Sequence, residues 1–315
     1  MEKRIKISIC GSEQAINKVV CESLNEIKTL EIVHSDDMSQ ADVIYWIYGK
    51  GPSIKKFFPL WIKKEPIIIN HWVGSDVIGE LKKRQQPGIF RIGDIIRDGI
   101  FYWKMKRGGL VNLTAAPWLV DELAKIHITA TFLPITTIDK DKLGMVDTER
   151  QKDIDFLSYV PLRSFEFYGG DKIVRLAQRW QEYTFLLIFP DLNEIPQDIV
   201  EKMPRNVIIS PKVPRSKMNE LFNRSKIFIR YTQHDAISLS VLEALYFNLQ
   251  VSWTYDFPFV QKIGTQEKFS DSIPLLVKNW KPNEDGHTFV TENYTTEKYK
   301  KNFLKVLKSR ISLHD

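Results

Sequence analysis

The sequence predicts an α/β protein of two domains, each a parallel sheet flanked by helices. Three observations carry that expectation. The first half alternates short apolar strands with amphipathic helices, and the alternation restarts after the charged, weakly apolar stretch 139–152. Lys226–Trp253 then runs strand, polar turn, helix and strand, the way open α/β sheets present a ligand site. At 315 residues, 43% of them hydrophobic, the chain is long enough for two ordinary cores.

Ile5–Cys10 reads as a strand ending at Gly11-Ser12, and Ser12 suits the N-cap of a helix carrying Ile16, Val19, Val20, Leu24 and Ile27. Further strands are expected at Glu31–His34, Asp42–Tyr48 and Pro66–Asn70. The last holds three consecutive isoleucines, as in a strand buried on both faces. Arg91–Arg107 places Ile92, Ile95, Ile96, Ile100 and Trp103 on one helical face among Arg97, Lys104, Lys106 and Arg107. Such a stripe packs on its own domain or lies on anionic lipid. Leu110–Thr114 and Thr131–Pro134 read as strands around a helix over Trp118–Lys125.

In the second half Ile154–Tyr159, Phe185–Phe189 and Val207–Ser210 read as strands, with a helix over Asp171–Trp180. Lys226–Tyr231 alternates β-branched and aromatic residues and predicts a buried strand. A turn at Thr232–Asp235 leads to a helix over Ser238–Phe247, then the strand Gln250–Trp253. The helix start offers unpaired N–H groups and positive dipole, which suit phosphate. Pro258–Gly264 and Pro274–Val277 read as short pieces, Lys278–His287 as a polar loop, and Thr295–Ile311 as a last amphipathic helix.

Asp235, seven residues and then Glu243-Ala244-Leu245 resemble the signature of retaining glycosyltransferases of family 4, which have the GT-B fold. The family usually has Glu as the first acid, and Ser238 stands where a Gly is usual. Asn70-His71-Trp72-Val73-Gly74-Ser75-Asp76 resembles its H-G-x-D element, stretched by Trp72 and Val73. The segment V-N-L-T-A…L-V-D-E-L…A-T-F-L-P-I resembles the end of a GT-B N-terminal domain. Val160–Gly170 corresponds to the family's G-R, five residues, K-G: Arg163 falls on the Arg, Gly170 on the Gly, and Gly169 where the Lys stands. Arg230 is the candidate replacement for that cation, and Lys172 a second.

The resemblance implies two Rossmann-like domains facing each other across a cleft. The first spans 1–138 on the acceptor side, followed by a linker at 139–152. A nucleotide-sugar domain covers 153–292, and a helix at 293–315 crosses back to the first domain. It implies a retaining, metal-independent hexosyltransferase with a nucleotide-diphosphate sugar as co-substrate and no cofactor. Glu243 would hold the ribose hydroxyls, the amides of Ser238 and Leu239 with Arg163 and Arg230 the diphosphate, and Asp235 the sugar. His71 would approach the reacting sugar, and Gly11 would leave room for the ligand. Read without the resemblance, Asp235 is a helix N-cap, Glu243 a solvated helix residue and His71 a strand-end histidine bonded to backbone.

Formal net charge is +6, yet residues 50–107 hold thirteen Lys or Arg against five Asp or Glu. That local excess suits an anionic partner, with a membrane surface ranked ahead of nucleic acid. The acceptor is expected to be a glycan or lipid-linked molecule. Cys10 and Cys21 fit no metal spacing and suit a reducing compartment. With no secretory leader pattern or bilayer-length apolar run, a cytoplasmic protein, peripheral on the inner membrane face, is expected, and the sequons at Asn112, Asn223 and Asn293 carry no weight. Gly11-Ser12-Glu13 is not the glycine-rich turn of a nicotinamide dehydrogenase, and no phosphate-cradling G-x-x-x-x-G-K motif occurs. Two alternatives stay open: a degenerate GT-B protein that binds a sugar nucleotide or a partner without turnover, and a glycosyltransferase acting on nucleic acid.

Overall fold

The computed structural model describes residues 4–11, 14–33, 38, 40–49, 66–85 and 92–311. The chain divides into two compact units, Met1–Thr136 with Thr296–Asp315, and Thr137–Thr295. Among the described residues each unit contains one parallel sheet of six strands.

In the first unit β1 (Ile5–Gly11), β2 (Leu30–Val33), β3 (Val43–Ile47), β4 (Ile67–Trp72), β5 (Leu110–Thr114) and β6 (Thr131–Phe132) lie in the order β2-β1-β3-β4-β5-β6. The isoleucine run of β4 is buried throughout, as a strand covered on both faces must be. Helices α1 (Gln14–Asn25), α2 (Ser75–Gln85), α3 (Ile92–Lys106) and α4 (Pro117–Ala124) connect the strands. The final helix, which is α12 (Thr296–Ile311), belongs to this unit. Its Phe303 packs on Tyr45 of β3 with ring centroids 5.0 Å apart, and the Tyr299 hydroxyl donates to that of Tyr45 at 3.3 Å. Lys300 pairs with Glu26 just past α1.

Three residues of the α3 stripe, Ile95, Ile96 and Trp103, do not turn inward. Phe101 packs edge-on to Trp72 of β4 and is fully buried, whereas Ile95, Ile96 and Trp103 are 60%, 47% and 40% exposed. Lys104 is buried instead, where its ammonium reaches the Pro66 carbonyl at 3.4 Å and desolvation lowers its pKa to about 8. Residues 50–65 and 86–91 of the basic window lie outside the described residues. Among those that are described, no helix is long and apolar enough to cross a membrane.

The second unit holds β7 (Ile154–Tyr159), β8 (Phe185–Phe189), β9 (Val207–Pro211), β10 (Ser225–Arg230), β11 (Gln250–Trp253) and β12 (Gln261–Lys262), ordered β9-β8-β7-β10-β11-β12. Phe156 and Phe185 stack at 4.7 Å in a core that includes Ile173, Leu176, Ile227 and Ile229. The helices are α5 (Lys140–Leu143), α6 (Gly170–Arg179), α7 (Gln197–Lys202), α8 (Arg215–Arg224), α9 (Leu239–Tyr246), α10 (Gln266–Lys278) and α11 (Glu284–Asn293). Both α10 and α11 occupy sequence that reads as short pieces and loop.

Residues 139–152 are bound into this unit and are no free tether. The Asn223 side chain accepts from the Asp147 amide at 2.9 Å and donates to the Met145 carbonyl at 3.2 Å. Lys152 donates to the Asn223 carbonyl at 2.6 Å, and the Tyr246 hydroxyl to the Gly144 carbonyl at 2.8 Å.

Candidate functional site

The order of the second sheet fixes where a ligand can enter. From β7 the chain steps outward through β8 to β9, then jumps back to lay β10 on the other side of β7. The loops leaving β7 and β10 therefore diverge, and such a switch point opens a crevice at the carboxyl ends of its strands. Most of the expected donor residues stand on these two loops or the helices they lead into.

The β7 loop is held by Asp191, just beyond β8. Its carboxylate accepts from the amides of Leu162 at 2.8 Å and Arg163 at 2.9 Å. These contacts and the Arg163 guanidinium hold the carboxyl below the usual range, against partial desolvation. Arg163 itself is exposed, and its guanidinium makes no hydrogen bond among the described residues. The loop ends at Gly169, in the left-handed region at φ 69°. A Cβ there would lie 2.1 Å from the Tyr231 carbonyl oxygen, so the position is closed to any side chain, Lys included. Lys172, three residues on, lays its ammonium 4.2 Å above the Tyr231 ring.

Arg230 closes β10 and is nearly buried. Its Nε and Nη2 both reach Asp235 Oδ2, at 2.8 and 2.7 Å, and its guanidinium lies 4.7 Å from the centre of the Tyr168 ring. Burial raises the Asp235 carboxyl above the ordinary range, against the pull of Arg230. Asp235 is no helix cap: the N-cap of α9 is Ser238, whose hydroxyl meets that of Ser240 at 2.9 Å. The amides of Ser238 and Leu239 donate to no other group among the described residues, so the α9 terminus keeps its unpaired N–H groups.

One turn further on, Glu243 is buried and not solvated. Its Oε1 accepts from Nη1 of Arg215 at 2.6 Å. Burial raises its carboxyl, with Arg215 opposing. Arg215 opens α8, 28 residues earlier in sequence, and neither it nor Asp191 was singled out by motif or spacing. No local signal could have found them, because each partner arrives from a different βα connection. Among the described residues, no group of three or more His, Cys, Asp or Glu gathers to hold a metal ion.

The other two expected residues lie in the first unit. Gly11 sits at φ 142°, and a Cβ there would meet the Ile47 carbonyl oxygen at 1.8 Å. The room left by its missing side chain is filled by β3. His71 is fully buried at the end of β4, with Nδ1 2.6 Å from the Tyr45 hydroxyl. Desolvation lowers its pKa to about 3, so it stands as a neutral imidazole. Asp76, two residues after Gly74, gathers the loops beside it by accepting from the amides of Gly49 at 2.6 Å and Gly74 at 2.8 Å.

No protein-family model matches the chain, and neither does any curated protein. Solved structures do. Sucrose-phosphate synthase from Thermosynechococcus elongatus superposes with a TM-score of 0.73 at 9% identity, covering 98% of this chain and 100% of that one. The chain has the GT-B fold. A glycosyltransferase from Rickettsia africae gives 0.65 at 10% identity over 99% of both chains. The GT-B likeness extends to TarM of S. aureus, solved with UDP and alpha-GlcNAc-glycerol, at 0.58 and 11% identity over 84% of this chain. The match takes in 55% of TarM's own length.

Proposed function

We propose that the protein is a retaining glycosyltransferase moving a hexose from a nucleotide-diphosphate sugar to a glycan or lipid-linked acceptor, with no required metal. The observation that carries this reading is the set of groups at the β7–β10 switch point: Arg163, Arg230, the Ser238 and Leu239 amides, and Glu243 one turn deeper. Cations and unpaired amides suit a diphosphate, and a buried carboxylate suits ribose hydroxyls. TarM was solved with UDP, and the pneumococcal O-GlcNAc transferase GtfA with UDP and GlcNAc, which supports a nucleotide sugar as donor.

In this reading Arg163, with its free guanidinium, and the α9 amides stabilise the charge that grows on the departing diphosphate. Arg230, fixed by Asp235 and Tyr168, adds a second positive charge in the position the absent Lys would serve. Asp235 has two parts, orienting Arg230 and accepting from a donor-sugar hydroxyl. No side-chain nucleophile is required. His71 takes no proton in this scheme, because its neutral ring is fully buried and hydrogen-bonded to Tyr45. The exposed Ile95, Ile96 and Trp103 on α3, beside a basic stretch of sequence, support contact with an anionic lipid surface.

The test is release of nucleoside diphosphate from a panel of α-linked UDP-, GDP- and ADP-sugars, with the anomeric configuration of the product read by NMR. The reading expects an α product and its loss in Arg163→Ala. A β product would refute retention, and no turnover of any donor with any glycan or lipid-linked acceptor would refute the enzyme.

A further inference from the structure

Resting on the donor-site reading above, a more specific role follows for a residue that no motif marks. Arg215 is anchored at one corner only. Nη1 meets Glu243 Oε1 at 2.6 Å, while Nε and Nη2 make no hydrogen bond among the described residues and the side chain is 39% exposed. Glu243 is likewise half-used: Oε2 accepts no hydrogen bond among the described residues, although the side chain is only 8% exposed. The pair therefore sets free donors beside a free acceptor on one charge-assisted frame.

Its location is the switch point and not a remote face. The Tyr159 phenol at the carboxyl end of β7 lies within the fields of Glu243, Arg215, Arg230 and Asp191 together. Glu243 lies one helical turn beyond the unpaired amides of Ser238 and Leu239. Glu243 and its partner Arg215 thus stand about 5 Å, one helical turn, beyond those amides, within the reach of a ribose whose diphosphate the amides would hold. A vicinal diol offers two O–H donors and two oxygen acceptors. A lone carboxylate satisfies only the donors; a carboxylate with a guanidinium at its side satisfies both.

We propose that Arg215 is a nucleotide-binding residue that reads the ribose diol jointly with Glu243. Glu243 Oε2 accepts from one hydroxyl, and a free N–H of Arg215 donates to the oxygen of the other. The donor specificity is accordingly for ribonucleotides, set by two side chains from different βα connections.

The experiment measures, by calorimetry, binding of UDP, GDP and ADP and of their 2′- and 3′-deoxy forms to the wild type, Arg215→Met and Arg215→Gln. Each is measured at pH 6.5 and 8.5. For whichever ribonucleotide binds, Arg215→Met is expected to weaken affinity about 10- to 100-fold, the range of a hydrogen bond to a charged group. One of the two deoxy forms is expected to bind Arg215→Met and wild type about equally, because its contact to Arg215 is already missing. Arg215→Gln, which keeps an uncharged donor, is expected to recover part of the loss. The two pH values separate contact from charge balance. If Arg215 only keeps buried Glu243 ionised, affinity in Arg215→Met returns at pH 8.5, and that return would overturn the proposal. Equal losses for ribo and both deoxy forms would also overturn it while leaving the donor site standing. A wild type that binds no nucleoside diphosphate would overturn the donor-site reading and this role with it.

Discussion

Replacing Gly169 by alanine probes why this chain carries no side chain where the β7 loop enters α6. The residue sits at φ 69°, where an L side chain costs about 1–2 kcal/mol. The added Cβ would also come within 2.1 Å of the Tyr231 carbonyl oxygen, a backbone atom that cannot swing aside. Overpacking of this kind costs about 1–3 kcal/mol. Together these give about 2–5 kcal/mol, and at about 2–4 °C per kcal/mol for a protein of this size, a Tm lower by about 4–20 °C. The assay is thermal unfolding by circular dichroism, with Gly264→Ala as control. A Cβ at Gly264 meets nothing within 4 Å, so that variant should melt within about 1–2 °C of wild type. Gly169→Lys should lose as much as Gly169→Ala and gain no nucleotide affinity. If Gly169→Lys melted with the wild type and bound diphosphate more tightly, the position would be open and the reasoning wrong.

Asp235→Ala leaves Arg230 nearly buried without its carboxylate, a change that costs about 3–5 kcal/mol when one partner of a buried pair is removed. Turnover should fall more than nucleotide affinity, by steady-state kinetics against calorimetry; the reverse order would place Asp235 with the nucleotide and not the sugar. His71 is neutral in the folded protein with a pKa of about 3, below the ordinary 6.5, so its contribution to stability is complete above pH 6.5 and lost as pH falls toward 3. The slope from this group is up to about 1.4 kcal/mol per pH unit within that window. His71→Gln should therefore lose less stability than wild type between pH 7 and 5 in urea titrations, and parallel losses would show the imidazole is not held neutral.

Local pattern made the sheets legible. β5, β7, β8 and β11 begin and end where the alternation of apolar and β-branched residues places them, and the β10 side of the switch point was visible as a strand, a polar turn and a helix start. Pairings between distant loops were not. Arg215 and Glu243, or Asp191 and the Arg163 amide, meet only because the crossover connections bring separate carboxyl ends together. Pro274 hid a helix for a different reason. A proline normally ends a helix by freeing the carbonyl four residues back, but in α10 that carbonyl, Ser270, accepts from the Trp180 indole at 2.9 Å. On α3 the helical period was legible and its orientation was not, since an amphipathic stripe does not say which face the sheet will take.

The proposed function requires that the β7–β10 switch point hold a nucleoside diphosphate. Its most direct test is thermal unfolding of the wild type and Glu243→Ala with UDP, GDP or ADP at millimolar concentration. A ligand at 100 times its Kd stabilises the folded state by about 2.7 kcal/mol, a rise in Tm of about 5–11 °C. Such a rise is expected with one nucleotide family in the wild type, and no rise in Glu243→Ala. No shift with any of the three, or an equal shift in Glu243→Ala, would contradict the proposed function.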